Sequence, residues 1–559
     1  MFPKQLMTLM GALGFAACVS SGCIKATQNS GTPPLASVQN APAVSSAGSR
    51  QQASAFVDVA EQAGLKYRWV IAGKRPLTIL QTIGNGCAFL DYNDDGRLDI
   101  LLVGPRVALF KNTGGGRFSD VSAAAGLNGL KGHFLGCAVG DYDNDGWPDI
   151  YLSAYRGGAL LRNLKGEKFS DTTGKSGIAS QPWGTSCAWG DVNNDGRLDL
   201  YIGNYVKFGP KEPQLCGVGA QRTSCGPRWY KPERSALYLN MGSKFRDVSA
   251  SWDLHGATGK SLGAAWADYN NTGKQSLAIA NDEMAGDLMR NHGQKFKNVG
   301  AASGTAYDQN GDVHGGMGID WGDYNNDGKL DLIVATFQGE AKSVYRKDNA
   351  DFFSETSDAI GLGDSRPFVS FGTKWLDFDN DGWLDLMLAN GHVQDNATAI
   401  DSTSTYRQRI QLFHSAKGRF SQVAERLSTE ARRPIVGRGL AIGDYDNDGR
   451  VDALVVDSEG APLLLHNQTA DAGNWLSLDL QGSKANRDGI GALVTVTAKG
   501  FKQTRRCATD GSYMSSSDKR VHFGIGKADK IETIVVRWPG GGQTVLRGQA
   551  VNRIISVRQ

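Results

Sequence analysis

Very little in this chain points to catalysis or to nucleic acid. Its 559 residues carry 60 basic and 57 acidic side chains, a net +3, so neither sign builds a strong field. No lysine-rich stripe or aromatic base-stacking module is present, which sets nucleic acid aside. A Gly-x-Ser-x-Gly elbow, a His-Glu-x-x-His pair, a phosphate loop and a dinucleotide fingerprint are all missing. Prolines are scarce, 16 against 72 glycines, as expected of many turns between short strands. Long apolar runs are missing too: the stretch from Leu6 to about Val19 is too short to span a bilayer.

What the chain does have is one nine-residue loop in six intact copies. They run Asp91-Tyr-Asn93-Asp-Asp95-Gly96-Arg-Leu-Asp99, then with the same spacing through Asp141, Asp143, Asp145 and Asp149, and through Asp191, Asn193, Asp195 and Asp199. The later three carry Asp323, Asn325, Asp327 and Asp331; Asp377, Asp379, Asp381 and Asp385; and Asp444, Asp446, Asp448 and Asp452. Oxygen side chains at positions 1, 3, 5 and 9 converge on one hard cation. The carbonyl at position 7 adds a ligand, and Gly at position 6 permits the sharp turn. The loop opens like an EF-hand but ends at position 9, and short apolar runs flank it, so it joins two strands of a hairpin. One such cluster reads as a plain turn; six in register imply about six calcium ions.

A seventh copy, Asp268-Tyr-Asn270-Asn-Thr272-Gly273-Lys-Gln-Ser276, keeps the turn but lacks the carboxylates at positions 5 and 9. The hairpin is therefore required by the fold even where the metal site has decayed. The first three loops start 50 residues apart, the length of a propeller blade. A second element repeats downstream of each loop: an apolar strand, a Gly-rich turn, then Phe, often with Asp-Val, as in Phe118, Phe169, Phe245, Phe296, Phe353 and Phe420. The last loop lacks that Phe, and Phe56-Val-Asp58-Val59 stands unclaimed before the first. The N-terminal strand is thus expected to complete the last blade and close a seven-bladed all-β propeller over residues 55–470.

Residues 1–23 read as an export signal. Phe15-Ala-Ala-Cys18 and Ser20-Ser-Gly-Cys23 both resemble lipoprotein cleavage boxes, so lipidation is expected at Cys23 or Cys18, with an ordinary cleaved signal peptide as the alternative. Neither cysteine precedes Asp, which favours an outer-membrane anchor if the source is a diderm bacterium. Residues 24–54, rich in Ser, Ala, Gln and Pro, form a flexible tether. Cys216 and Cys225 share one irregular insertion, where an exported protein is expected to form a disulfide. Cys87, Cys137 and Cys187 hold one repeat position that other repeats fill with Ala264, Ile319, Thr373 and Leu440, so core packing is expected. Cys507 has no evident partner.

From Gly473 the repeat stops, and strand-like runs at Trp475–Leu480, Ala492–Ala498 and Ile531–Trp538 suggest a small β-sandwich over 471–559. Asn486-Arg487-Asp488, Gly511-Ser512-Tyr513, His522-Phe523-Gly524 and Arg537-Trp538-Pro539-Gly540 resemble the UnbV/ASPIC domain. With the loops, which are similar to FG-GAP/VCBS repeats, and with Cys225-Gly-Pro-Arg228, the chain resembles the cartilage acidic protein family and its bacterial relatives. The resemblance implies extracytoplasmic calcium-binding propellers, similar to the integrin α-chain head, used for adhesion or protein binding. It also implies an alternative, since some bacterial members are implicated in ring-forming chemistry.

Two functions follow. The first is a calcium-stabilised, lipid-anchored binding module, monomeric, for a protein or glycan ligand. The second is an enzyme using the axial mouth of the propeller, on the face opposite the hairpins. The residues entering each innermost strand would line it: His133, Trp183, Lys260, His314, Asp320, Lys374 and Arg438. Asp320 and Lys374 stand where other repeats place Ala88, Ala138, Ala188, Ala265 and Ala441. They form an ion pair that either fills the axis or, with His133 and His314, serves acid–base chemistry.

Overall fold

The computed structural model describes residues 54–559. The expected signal segment, Cys18, Cys23 and nearly all of the tether lie outside the described residues. The fold is all-β. Each of the seven loops joins the first two strands of an antiparallel unit, and in all but the seventh the third and fourth strands follow in sequence. The fifth unit, Ile319–Gly322, Asp331–Val334, Ser343–Lys347 and Phe353–Glu355, shows the pattern. In the second unit the middle strands merge into one bent strand, Asp149–Asn163. Its Tyr155 and Gly157 pair with Trp183 and Gln181 of the third unit, so these two units share one sheet. The seventh unit supplies only Gly437–Gly443, Asp452–Asp457 and Leu463–Asn467. Its fourth strand is Phe56–Asp58, paired antiparallel with Phe56 opposite Asn467 and Asp58 opposite Leu465.

The first strands of the units are Cys87–Leu90, His133–Gly140, Gln181–Gly190, Ser261–Ala267, Ile319–Gly322, Ser370–Leu376 and Gly437–Gly443. Each touches the next in chain order, and the last touches the first. Aromatic side chains cement the boundaries. The position-2 residue of a loop stacks on a Trp in the next inner strand: Tyr142 on Trp189 at 6.1 Å, Tyr269 on Trp321 at 5.7 Å and Tyr324 on Trp375 at 5.8 Å. Such rings carry a large share of the buried apolar area and add about 0.5–1.5 kcal/mol per pair.

Residues 474–558 form two small sheets. One orders Val521–Gly526, Asn474–Gln481 and Arg553–Arg558; the other orders Phe501–Arg506, Leu493–Ala498, Lys530–Arg537 and Gln543–Ala550. Leu476, Leu478, Val494, Val496, Phe523, Ile534 and Val536 from both sheets meet in one core. This C-terminal part packs with the repeats as one unit.

Candidate metal loops and the axial segment

The backbone organises each loop before any cation is considered. In the first, the Asp91 carboxylate accepts the amides of Asp95 at 3.1 Å and Gly96 at 2.7 Å. Asp99 accepts those of Tyr92 at 3.1 Å and Asn112 at 2.7 Å. The same bonds recur in the second loop, at Asp141 and Asp149. These bonds fix the oxygens in place and leave lone pairs facing inward. Position 4 turns through the left-handed region in every copy, from Asp94 at φ 53° to Asn447 at 60°, which Asn and Asp tolerate best.

Carboxylate oxygens of Asp141, Asp143 and Asp149 lie within 4.8 Å of one another, as do those of Asp377, Asp379 and Asp385, and of Asp444, Asp446 and Asp448. Burial drives Asp99 up to about 8 and Asp149 to about 9, and also raises Asp331 and Asp385 well above the usual carboxylate range. Neighbouring carboxylates add to each shift. Buried oxygens on Asn93, Asp331 and Asp377 have no hydrogen-bond partner. Clustered acids with orphaned oxygens fit a hard divalent cation, which supplies the missing partner and reverses the pressure to protonate.

His414 and His466 join these clusters, which the sequence reading missed. His414 Nε2 lies 3.2 Å from Asp379, and His466 Nδ1 lies 3.3 Å from Asp452 and 3.8 Å from Asp446. The signal was available: the same strand position holds Lys111 and Arg162, which touch Asp95 at 3.7 Å and Asp143 at 2.6 Å.

Two kinds of side-chain hydrogen bond link successive loops; every boundary has at least one of them and four of the seven have both. In five units an Asn ends the third strand and donates its amide to the position-2 carbonyl of the preceding loop: Asn163 to Tyr92 at 2.8 Å, Asn240 to Tyr142 at 2.7 Å, Asn291 to Val192 at 2.8 Å and Asn467 to Phe378 at 2.8 Å. Asn112 reaches Tyr445 at 2.9 Å, joining first unit to last. In five loops the position-4 Asn donates to the Gly carbonyl of the next loop, as Asn144 does to Gly196, and Asn447 to Gly96 across the same closure.

The position-4 side chains also receive the C-terminal part. Asn144 accepts the Arg487 amide at 2.9 Å, Asn271 accepts Arg537 at 2.8 Å, and Asn447 accepts Arg520 at 2.6 Å. The Asn380 oxygen lies 2.8 Å from His522 Nε2. The C-terminal part therefore lies on the loop-bearing end.

From there the segment 506–518 runs down the axis and bonds to all seven inner strands. Ser516 exchanges bonds with Cys87 and Phe89, Met514 accepts from Cys137, and Ser186 accepts from Met514. Asp510 accepts the Trp266 amide at 2.8 Å, Ser512 exchanges two bonds with Ile319, and Lys374 donates to the Asp510 carbonyl at 3.1 Å. Asp518 donates to Ile442. Glycine makes the approach possible: a Cβ on Gly86 would lie 1.7 Å from the Met514 carbonyl, and one on Gly439 2.5 Å from Ser515 Oγ.

The four axial candidates do not converge. Asp320 and Lys374 pair at 3.3 Å, but Arg506 also binds Asp320 at 2.8 Å and pairs with Asp510, so the group is a buried quartet of two acids and two bases. It lies at the loop end, not at the opposite face as expected, because Asp320 and Lys374 precede their loops by only three residues. His133 begins its strand and is exposed. His314 is buried, with Nε2 at 2.9 Å from the Tyr345 hydroxyl and a pKa lowered by burial to about 4. The cavity beside Asp320 and Lys374, walled by Arg505, Arg506 and His522, measures about 130 Å³. That is room for roughly four waters.

At the other end, Leu135, Trp183, Leu262, Met317, Phe371 and Tyr513 fill the axis with apolar side chains. Cys216 and Cys225 form a disulfide in the hairpin of Leu215–Val218 and Gln221–Ser224. Cys87, Cys137, Cys187 and Cys507 are free and buried.

The FG-GAP-like repeat model matches residues 91–152, 141–202, 268–334, 323–388 and 377–455, together more than half of the chain. The ASPIC and UnbV model matches 482–559. Cartilage acidic protein 1 of Xenopus tropicalis is 25% identical over 320 residues, 56% of this chain and 47% of that protein. The Homo sapiens protein is 25% identical over 335 residues, 58% and 47%. The chain thus spans about half the length of these curated relatives. Among solved structures, an Agrocybe aegerita lectin recognising non-reducing terminal N-acetylglucosamine is 14% identical with a TM-score of 0.39, covering 67% of this chain and 86% of that one. BBS1N, solved in complex with ARL6DN, is 10% identical with a TM-score of 0.41, covering 75% and 99%. Similarity at that level fixes no detail of this molecule.

Proposed function

Because the chain belongs to the FG-GAP-like repeat proteins and carries a C-terminal ASPIC and UnbV domain, we propose that it is a calcium-stabilised extracytoplasmic binding module. The repeat units are the blades of a closed seven-bladed propeller, and the C-terminal part is a small β-sandwich seated on the calcium face. Supporting closure are Phe56–Asp58 in the last unit and the two Asn bonds between last unit and first. The six intact loops each hold one calcium, and the loop at Asp268 holds none. A lipid on Cys23 or Cys18 anchors the protein, at the outer membrane if the source is a diderm.

The observation that favours binding over turnover is the filled axis. The segment 506–518 occupies the place where a propeller enzyme would seat its substrate, and the two larger cavities beside it, about 130 Å³ at Asp320 and Lys374 and about 280 Å³ at Thr509, Lys519 and Arg520, both fall below the ~300–1,000 Å³ of a small-molecule site. Calcium acts here as a structural ion, since each intact loop fills its coordination with protein oxygens and a catalytic metal needs an open position. The ligand, a protein or a glycan, then meets an outer surface.

Metal analysis of calcium-loaded, desalted protein tests the reading; six ions per chain are expected, and two or fewer overturn it. Turnover of any substrate that is lost in Lys374→Ala at unchanged stability would replace the binding reading with the enzymatic one.

A further inference from the structure

Third-strand ends follow one rule in five of the seven units, and one of the two exceptions is charged. Asn112, Asn163, Asn240, Asn291 and Asn467 each donate a side-chain amide to the position-2 carbonyl of the preceding loop. The fifth unit places Lys347 there, and its ammonium donates to Tyr269, the position-2 carbonyl of the fourth loop. Ser415 in the sixth unit is simply shorter. The one substitution that introduces a charge faces the one loop that has lost its carboxylates at positions 5 and 9.

The surroundings agree. Lys347 is 3% exposed, and its Nζ sits 5.3 Å from the centre of the Tyr269 ring. Arg290 donates to the Tyr269 hydroxyl at 2.9 Å, and Arg537 to the Asn271 side chain at 2.8 Å. Within the loop, Asp268 still accepts the amides of Thr272 at 2.8 Å and Gly273 at 2.9 Å, so the turn matches its intact relatives. Three cationic side chains thus stand around a loop with one carboxylate, whereas the neighbouring loop at Asp323 has three carboxylates.

We propose that Lys347 is the resident cation of the fourth loop: its ammonium takes over the electrostatic role of calcium there, holding that boundary in a metal-independent way and repelling a divalent ion. This rests on the reading that the intact loops bind calcium. An ammonium carries one charge and three donors, which suits a loop reduced to one carboxylate and carbonyls. A divalent ion would find too few oxygens at that loop and a like charge beside it.

The experiment compares the wild type, the double variant Thr272→Asp/Ser276→Asp, and the triple variant that adds Lys347→Asn, by calcium stoichiometry on desalted protein. Six ions are expected for the wild type and the double variant, and seven for the triple. A seventh ion in the double variant at the affinity of the triple overturns the proposal, as does a triple variant that stays at six. Hydrogen exchange across residues 268–276 in single Lys347→Asn serves if the multiple variants fail to fold. Protection there should fall at least tenfold in the calcium-loaded protein; unchanged protection refutes the role. A wild type without calcium would sink the reading of the six intact loops, and the exchange result would still decide Lys347.

Discussion

The two ends of the molecule are ordered by different forces. At the loop-bearing end nearly everything that matters is charged. Carboxylates crowd in the loops, Arg506 bridges Asp320 and Asp510, and Lys519 bridges Asp479 at 2.9 Å and Asp488 at 3.4 Å. At the opposite end an apolar cluster closes the axis, and the buried Arg438 donates only to carbonyls, those of Thr82, Gly391, Gly437 and His392, above the Phe371 ring. Buried charge costs several kcal/mol per ion unless it is paired, while apolar burial stabilises without any partner ion. On the proposed reading of the loops, the order of the first end depends on an ion from solution, and that of the second does not.

Removing calcium is the strongest way to separate them. A loop that binds calcium as proposed would contribute about 2.7 kcal/mol at a hundredfold excess over Kd. Six such sites rival the whole ~5–15 kcal/mol stability of an ordinary protein. Chelated protein is expected to lose its cooperative transition in calorimetry, with exchange rising first in the loops and in residues 506–518. A chelated midpoint equal to the loaded one would mean that the carboxylate clusters are balanced by protein groups alone. Within the same end, Asp377→Ala should lower the midpoint much more than Asp268→Ala, and equal losses would erase the distinction between intact and decayed loops.

The buried quartet comes next. Arg506→Met leaves Asp320 and Asp510 facing Lys374 alone, and removing one partner of a buried pair costs about 3–5 kcal/mol. Urea titration with unchanged slope is expected to show a loss of that size, accompanied by exchange along 506–518 as the axial segment loosens. Lys374→Met should cost somewhat less, because Arg506 remains on Asp320. A loss under about 1 kcal/mol in Arg506→Met would show the segment to be held by backbone bonds alone.

How much of this the sequence discloses depends on whether a feature is written in side chains. The loops are legible because their oxygens repeat at fixed spacing, and the partner of Phe56–Asp58 because its motif is missing from the last repeat. Asp320 and Lys374 stand out against alanines. Their partners Arg506 and Asp510 do not, since they belong to a segment whose neighbours are main-chain groups of seven distant strands. Backbone recognition leaves no side-chain pattern. The one trace is glycine, as at Gly86 and Gly439, and a glycine before a strand has many other causes. The expectation of an axial mouth opposite the hairpins erred for a related reason: it counted strand positions without asking what a second domain brings to the loop end.

The smallest effect should come from the disulfide at the far end. Cys216 and Cys225 are nine residues apart, and closing so short a loop is worth about 2.6 kcal/mol in chain entropy. That figure belongs to the hairpin, not to the repeats. The hairpin's two strands pair only with each other, while Thr223 donates to the Asn396 side chain at 2.9 Å, Asn396 donates back to the Arg222 carbonyl at 2.8 Å, and Cys225 is buried in the apolar cluster of the far end with Cys216 packed against it. Cys216→Ala/Cys225→Ala, which puts no hydroxyl into that cluster, should leave the calcium stoichiometry unchanged and move the global midpoint by less than about 2 °C, a shift of under 1 kcal/mol. Local order should fall all the same: exchange across 215–224 should quicken, and a protease should nick the hairpin while the repeats stay intact. A global midpoint that drops as far as in Arg506→Met would show that the far end is tied to the ring through this hairpin, and that the two ends are not independently held.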